Sequence, residues 1–334
     1  MSGIILSEPT PAASLLQPPA AMASYRYWDR FDRAALRHVQ SRIAAVIEDS
    51  ERQGDLFASP APQPEDAPAA PPVPAPAAPA NALGAVLSPS QIKTFLGCSA
   101  RWWFRYGAGL PDPPNGPLVR GRVVHEMARQ YFCERLAGES VTMDDLTDCF
   151  EGAWERECQG ASFAQDDDLD MLKRQAAALT RKYLEEAAPH IQPAAVETRV
   201  AGAIGGVPVQ GFIDLIDISG RIIDLKTAAR KPAGVDPGYA LQLATYRVLS
   251  PAASGQVRLD TLVATKTPQL VTLAYEVTAA DTAMVGKLYP HVREGIREGL
   301  FFPNRAGNLC SRKGCNFWQA CEAEYGGCVK GAEE

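Results

Sequence analysis

The chain has 334 residues, 46% of them hydrophobic and 22% charged, and a formal net charge of −6. That length supports one good hydrophobic core, and no apolar run approaches the ~20 residues a membrane span requires. The acidity excludes binding of nucleic acid through bulk charge, so any such contact must use a local basic surface.

The N-terminal residues 1–58 read as an arm. Trp28, Phe31, Ala35, Val39, Ile43 and Ile47 recur at helical spacing with arginines on the other side, which predicts an amphipathic helix. Gln53-Gly54-Asp55-Leu56-Phe57 follows it directly. Residues 59–85 are dominated by alanine and proline, a composition that cannot bury enough surface to offset its ordering entropy, so they are expected to be a semi-rigid linker. The N-terminus lacks a basic stretch followed by an apolar one, so a cytoplasmic protein with reduced cysteines is expected.

The folded domain is expected over 86–334. Ser88, Pro89 and Gln91 form a capping-box pattern that predicts a helix running to Gly107, with Cys98 on it. Helices are predicted from about Arg120 to Ala137, Asp144 to Cys158 and Asp168 to Ala187, the last two as an inserted helical lobe. Strands follow near Ala195 to Ala203, Val207 to Asp217 and Arg221 to Lys226, then a helix from about Tyr239 to Leu249. Two more strands, near Val257 to Thr265 and Leu270 to Val277, precede a helix from about Ala279 to Glu298. Strands flanked by helices predict an α/β core with a mixed sheet. Arg101, Arg105, Arg120, Arg122 and Arg129 are the best clustered candidates for a basic surface, with an ordinary solvated helix face as the alternative.

The second and third strands carry the chemistry. Ser219-Gly220 separates Gly211-Phe212-Ile213-Asp214-Leu215-Ile216-Asp217 from Arg221-Ile222-Ile223-Asp224-Leu225-Lys226-Thr227, which predicts a β-hairpin. Asp214 and Asp224 then approach across paired strands, where like charges repel unless a divalent cation neutralises them. Asp224 and Lys226 are two apart and share a face. Paired carboxylates beside an ammonium suit metal-assisted attack of water on a phosphodiester. Glu197, on the first strand, either adds a carboxylate to this site or is an ordinary surface residue. Near the C-terminus Cys310, Cys315 and Cys321 crowd together, and with Cys98 upstream they make four thiols of the kind that hold zinc or an iron-sulfur centre. Cys133, Cys149 and Cys158 read as small buried hydrophobes.

The pattern Gly-x-Ile-Asp, a turn, then Ile-Asp-x-Lys-Thr resembles the PD-(D/E)xK nuclease superfamily and its RecB-like exonuclease branch. Gly121-Arg122-Val123-Val124-His125-Glu126 resembles that branch's helix-borne histidine motif. Tyr239-Ala240-Leu241-Gln242-Leu243-Ala244-Thr245-Tyr246 resembles its Gln/Tyr motif, and Ser88-Pro89-Ser90-Gln91-Ile92 with Cys98 its opening helix. The similarity covers about residues 86 to 325 in the family's order.

The resemblance implies a restriction-endonuclease-like core and a metal-dependent DNA nuclease, an exonuclease in recombination, repair or DNA processing. It implies that His125, Asp214, Asp224 and the Leu225 carbonyl hold magnesium or manganese, with Lys226 orienting the attacking water or offsetting charge on the phosphate. Gln242 and Tyr246 would position the scissile strand or the lysine. It also favours a four-iron four-sulfur staple over zinc, through Cys98, Cys310, Cys315 and Cys321. The branch's usual triplet is Cys-x2-Cys-x5-Cys, whereas four residues fill the first gap here, and Cys328 is an alternative to Cys321. Gln53, Leu56 and Phe57 resemble the bacterial sliding-clamp peptide, an extended segment whose Leu and Phe enter an apolar pocket. No Walker phosphate loop is present, so unwinding would fall to a separate helicase or recombination partner. The alternatives are a DNA-binding scaffold with an inactive nuclease site, against which the intact Asp214, Asp224 and Lys226 speak, and a zinc-stabilised adaptor.

Overall fold

The computed structural model describes residues 84–331 apart from 140–144, 165–166 and 251–252. The expected N-terminal arm, its Gln53, Leu56 and Phe57 peptide and most of the linker lie outside the described residues.

Helix α1, Pro89–Gly97, begins as its sequence requires: the Ser88 hydroxyl accepts the Gln91 N–H at 3.3 Å and Pro89 occupies the first turn. The continuous helix expected as far as Gly107 is broken at Cys98, whose backbone is extended (φ −168°, ψ 106°). A short α2, Ser99–Trp102, then passes into a π-turn at Trp103–Gly107. Cys98 therefore sits at a helix junction rather than on a helix, a correction with a tertiary cause. Ala100 N–H and Ser99 Oγ–H donate to the Phe302 carbonyl at 3.1 and 3.2 Å, and Phe302 N–H returns to Ser99 Oγ at 2.9 Å. A segment far along the chain thus takes part of the bonding a continuous helix would use.

Helix α3, Gly116–Leu136, starts before the expected Arg120 because Asn115 caps it, accepting from Leu118 N–H at 3.1 Å. Helices α4, Thr147–Cys158, and α5, Leu169–Glu186, follow. Strands β1, Pro193–Ile204, and β2, Val207–Asp217, are joined by Gly205 and Gly206 at φ 56° and 77°, the two-residue turn that matches strand twist. Strand β3, Ile222–Ala228, completes the predicted hairpin, whose turn is closed by the Asp217 carboxylate accepting from Ser219 and Arg221. Helix α6, Pro237–Leu249, crosses over to β4, Gln256–Val263, which runs parallel to β3, and β5, Gln269–Glu276, returns antiparallel. The strand order is 1-2-3-4-5, a mixed five-stranded sheet. Helix α7, Ala279–Arg297, opens with a capping box between Thr278 and Asp281. A short α8, Trp318–Tyr325, was not expected from the sequence.

Two apolar layers enclose the sheet. Ile92 of α1, Leu243 and Tyr246 of α6, and Val285 and Tyr289 of α7 pack on one face with Val209, Ile213 and Ile222. Val124, Ala128 and Phe132 of α3 and Leu179 and Tyr183 of α5 pack on the other with Leu215, Ile223 and Leu225. The expected helical lobe is therefore split in its duties. Helix α4 packs with α3 and α5 through Ala153 and Trp154, while α5 also covers the sheet. Among the described residues no helix is long and apolar enough to cross a membrane.

Candidate active site

The β2–β3 ladder is short: Leu215 pairs with Ile223 and Ile216 with Ile222. One step further the strands part, and Asp214 and Asp224 face each other at the opening. The Asp214 Oδ2 accepts the Leu225 N–H at 3.1 Å, which ties it to the middle of β3. Asp224 is 1% exposed, and Lys226 Nζ reaches its Oδ2 at 2.6 Å along the same strand face. Burial pushes the Asp224 carboxyl up to about 6, with Lys226 pulling it down and Asp214 pushing it up. Burial works against the Lys226 charge, but Asp224 and Asp214 outweigh it and hold the ammonium above its ordinary value.

His125 reaches this opening because α3 comes unusually close to β3. A Cβ on Gly121 would stand 2.9 Å from the Thr227 hydroxyl, so any larger residue there must displace that hydroxyl or the helix. One turn on, His125 Nδ1 lies 3.6 Å from Asp214 Oδ2. Burial lowers the imidazole's pKa despite Asp214, with Lys226 also lowering it, although part of the ring still meets solvent. That direction favours the neutral, ligating form. The sequence motif and the observed approach of α3 agree.

On the opposite face, α6 supplies Gln242 and Tyr246. The Gln242 amide donates to the Tyr246 hydroxyl at 2.9 Å and to Asp224 Oδ1 at 3.4 Å. The Tyr246 ring rests where Gly211 lacks a side chain: a Cβ there would meet Tyr246 Cε1 at 2.8 Å. The residues singled out from sequence as His125, Asp214, Asp224, Leu225, Lys226, Gln242 and Tyr246 thus converge on one end of the β2–β3 hairpin.

Glu197 belongs to the same region. It lines a pocket with His125, Arg129, Asp214 and Leu225, and it is the one non-glycine among the described residues with positive φ, 46°. Loss of water and then the Asp214 charge push its carboxyl up to about 7. The residue as a whole stays exposed, so water screens part of this effect and the upward direction is the useful fact. Tyr239 was read from sequence only as the start of the Gln/Tyr segment. Its ring lies 5.2 Å from Lys226 Nζ, and its spacing from Gln242 and Tyr246 on α6 places all three on one helix face, a signal that periodicity alone contains.

The five arginines do not form one basic surface. Arg101 and Arg105 pair with Asp112, Arg122 with Glu157 and Arg129 bidentately with Glu126. Arg120 is buried, donating to Gln175 at 2.6 Å. Each charge meets a local acceptor that sequence spacing does not reveal.

The C-terminal segment returns to the α1–α2 junction. Cys98, Cys315 and Cys321 pack in one cluster with Ala100, Phe104 and Phe317. Burial raises the Cys321 thiol to about 11, Arg305 opposes this, and Cys98, Cys315 and Cys310 reinforce it. Cys328 is exposed. Among the described residues no three His, Cys, Asp or Glu groups stand in ligating geometry for a metal ion. Asp214 Oδ2 accepts the Leu225 N–H, while Asp224 Oδ2, buried without a hydrogen-bond partner among the described residues, lies 2.6 Å from the Lys226 ammonium.

Residues 86–322 match the family model of the PD-(D/E)XK nuclease superfamily. No curated protein matches the chain. Among solved structures, a candidate exonuclease from Eubacterium rectale is similar at 15% identity and a TM-score of 0.47, covering 73% of this chain and 90% of its own. The crystal structure of SSO0001 is similar at 12% identity and a TM-score of 0.31, covering 68% of this chain and 92% of its own.

Proposed function

Because the chain belongs to the PD-(D/E)XK nuclease superfamily, we propose that it hydrolyses DNA phosphodiester bonds with magnesium or manganese, as an exonuclease of the RecB-like type. The observation that carries this reading is the buried Asp224–Lys226 pair at 2.6 Å, set at the strand ends opposite Asp214 and His125.

The donor set fits a hard divalent cation: two carboxylates, a backbone carbonyl and one neutral imidazole. Asp214, Asp224, His125 and the Leu225 carbonyl would hold it, and such a cation, when bound, acidifies its water and offsets charge on the phosphate. Lys226 holds a positive charge beside the reacting phosphate, in a site too dry for water to screen it. Gln242 fixes Asp224 from behind and is itself fixed by Tyr246. Glu197 adds a carboxyl on the His125 side of the pocket.

Cys98, Cys310, Cys315 and Cys321 form an all-thiol set, which suits a four-iron four-sulfur cluster and also zinc. Either group would tie the α1–α2 junction to the C-terminal segment, and the family resemblance favours iron. Gln53, Leu56 and Phe57 would act as a tethered sliding-clamp ligand, checked by binding of a synthetic peptide to the clamp.

End-labelled DNA incubated with magnesium or manganese tests the central reading. Asp224→Ala and Lys226→Ala should each lose at least about a hundredfold in cleavage rate while remaining folded. Full activity in both purified variants removes the assignment.

A further inference from the structure

Outside the metal-binding end of the hairpin, a second cation is built into the same wall. Lys93, on α1, places its Nζ 4.3 Å from the centre of the Tyr239 ring, and Lys226 Nζ lies 5.2 Å from that same centre. One aromatic ring thus neighbours two ammonium groups that come from distant parts of the chain. The Lys93 stem is seated on the start of α6. A Cβ on Gly238 would meet Lys93 Cε at 2.8 Å, so the stem lies directly against the first turn of α6.

The two lysines differ in how much charge they have to offer. Lys226 is largely buried and committed to Asp224. The Lys93 side chain is 50% exposed, and its carboxylate partner, Asp236, is 3.8 Å away and itself 57% exposed. A surface pair at that distance is worth little, so an incoming anion can displace it. The Tyr239 ring favours a cation at this spot. Arg230 and Lys231 are exposed on the connection between β3 and α6, so this side of the opening carries further positive charge. Of the α3 arginines, Arg120 is buried and Arg129 is held bidentately by Glu126, so neither serves in this way.

We propose that Lys93, seated over Tyr239, is a phosphate-binding residue for the DNA strand, engaging the phosphate next to the one that is cut. The proposal rests on the nuclease reading and extends it. Lys226 neutralises charge at the reacting phosphate, and Lys93, one ring away, holds its neighbour and sets the register of the strand. Tyr239 is a positioning residue that acts through both lysines.

The test is binding of a fluorescent single-stranded oligodeoxynucleotide to the full chain in EDTA across a salt series, with cleavage kinetics in magnesium alongside. Lys93→Ala should weaken binding about three- to tenfold and reduce the slope of log affinity against log salt by about 1. KM should rise by a similar factor with kcat nearly unchanged, and Lys93→Arg should restore both. Tyr239→Leu should reproduce the binding loss. Lys287→Ala, an exposed lysine on α7, should leave all of these as they were. Binding and salt slope unaltered in Lys93→Ala, or an equal loss in Lys287→Ala, overturns the subsite alone. Failure of the unaltered chain to bind or cleave DNA overturns the nuclease reading and the subsite with it.

Discussion

The ring of Tyr246 occupies the space beside Gly211, so close that a Cβ on that glycine would stand 2.8 Å from Tyr246 Cε1. The contact links the glycine at the head of the Gly-x-Ile-Asp segment to the tyrosine that orients Gln242. Gly211→Ala should displace the ring, cost about 1–3 kcal/mol in stability and cut activity through Gln242. Tyr246→Phe removes only the hydroxyl and should lower activity with a smaller loss of stability. Thermal unfolding beside cleavage rates separates the two effects, and an unchanged Gly211→Ala protein contradicts the contact.

Gly121 and Thr227 make a second close approach, which sets the height of His125 over the strands. Gly121→Ala should lift α3, weaken manganese binding and destabilise the fold by about 1–2 kcal/mol. Removing the hydroxyl with Thr227→Ala should relieve the clash, so the double variant should recover much of both losses. Additive losses in the double-mutant cycle would show that the two residues do not touch.

Asp224 supplies a pH dependence with a definite sign. Its carboxyl is raised from 3.8 to about 6 in the folded state. The native protein therefore keeps a proton that the unfolded chain has released, so this contribution is complete below 3.8 and is lost as pH rises through about 6. In EDTA, Asp224→Asn should gain stability relative to the unaltered protein across that window, by on the order of 2 kcal/mol. Manganese should raise the unfolding midpoint of the unaltered protein at neutral pH and leave the variant little changed. Parallel pH profiles for the two proteins in EDTA would exclude the raised carboxyl.

The thiols give a prediction that separates neighbouring cysteines. Cys98→Ala should abolish bound iron and visible absorbance after anaerobic purification and lower the unfolding midpoint. Cys328→Ala should keep both, because that thiol is exposed whereas Cys321 is buried. Loss of the metal in Cys328→Ala would exchange it for Cys321 in the ligand set. Zinc in place of iron would retain the staple and change its chemistry.

Much of this site was legible in the sequence because its parts lie on short periodic segments. Alternation on β3 places Asp224 and Lys226 together, the Ser219-Gly220 turn returns Asp214 toward them, and helical spacing joins Gln242 to Tyr246. The same reasoning missed Tyr239 as a neighbour of Lys226, although its spacing on α6 was available. It also grouped five arginines that the fold disperses. Their acceptors, Asp112, Gln175, Glu157 and Glu126, are set by packing and not by the periodicity of the arginines themselves.

Local pattern therefore determined the α/β class, most of the order of the elements and the grouping of Asp214, Asp224 and Lys226, because side-chain direction repeats every two or nearly four residues, while the family resemblance supplied His125, Gln242 and Tyr246. Only the tertiary structure decided the break at Cys98, the depth at which α3 sits on Thr227 and the placing of Lys93 against Tyr239. Each of these depends on a partner far away in the chain, through a hydrogen bond to Phe302, the absence of a Cβ at Gly121 or a ring on another helix. Contacts between distant segments are fixed by close packing in three dimensions, and no local repeat encodes which two surfaces will meet.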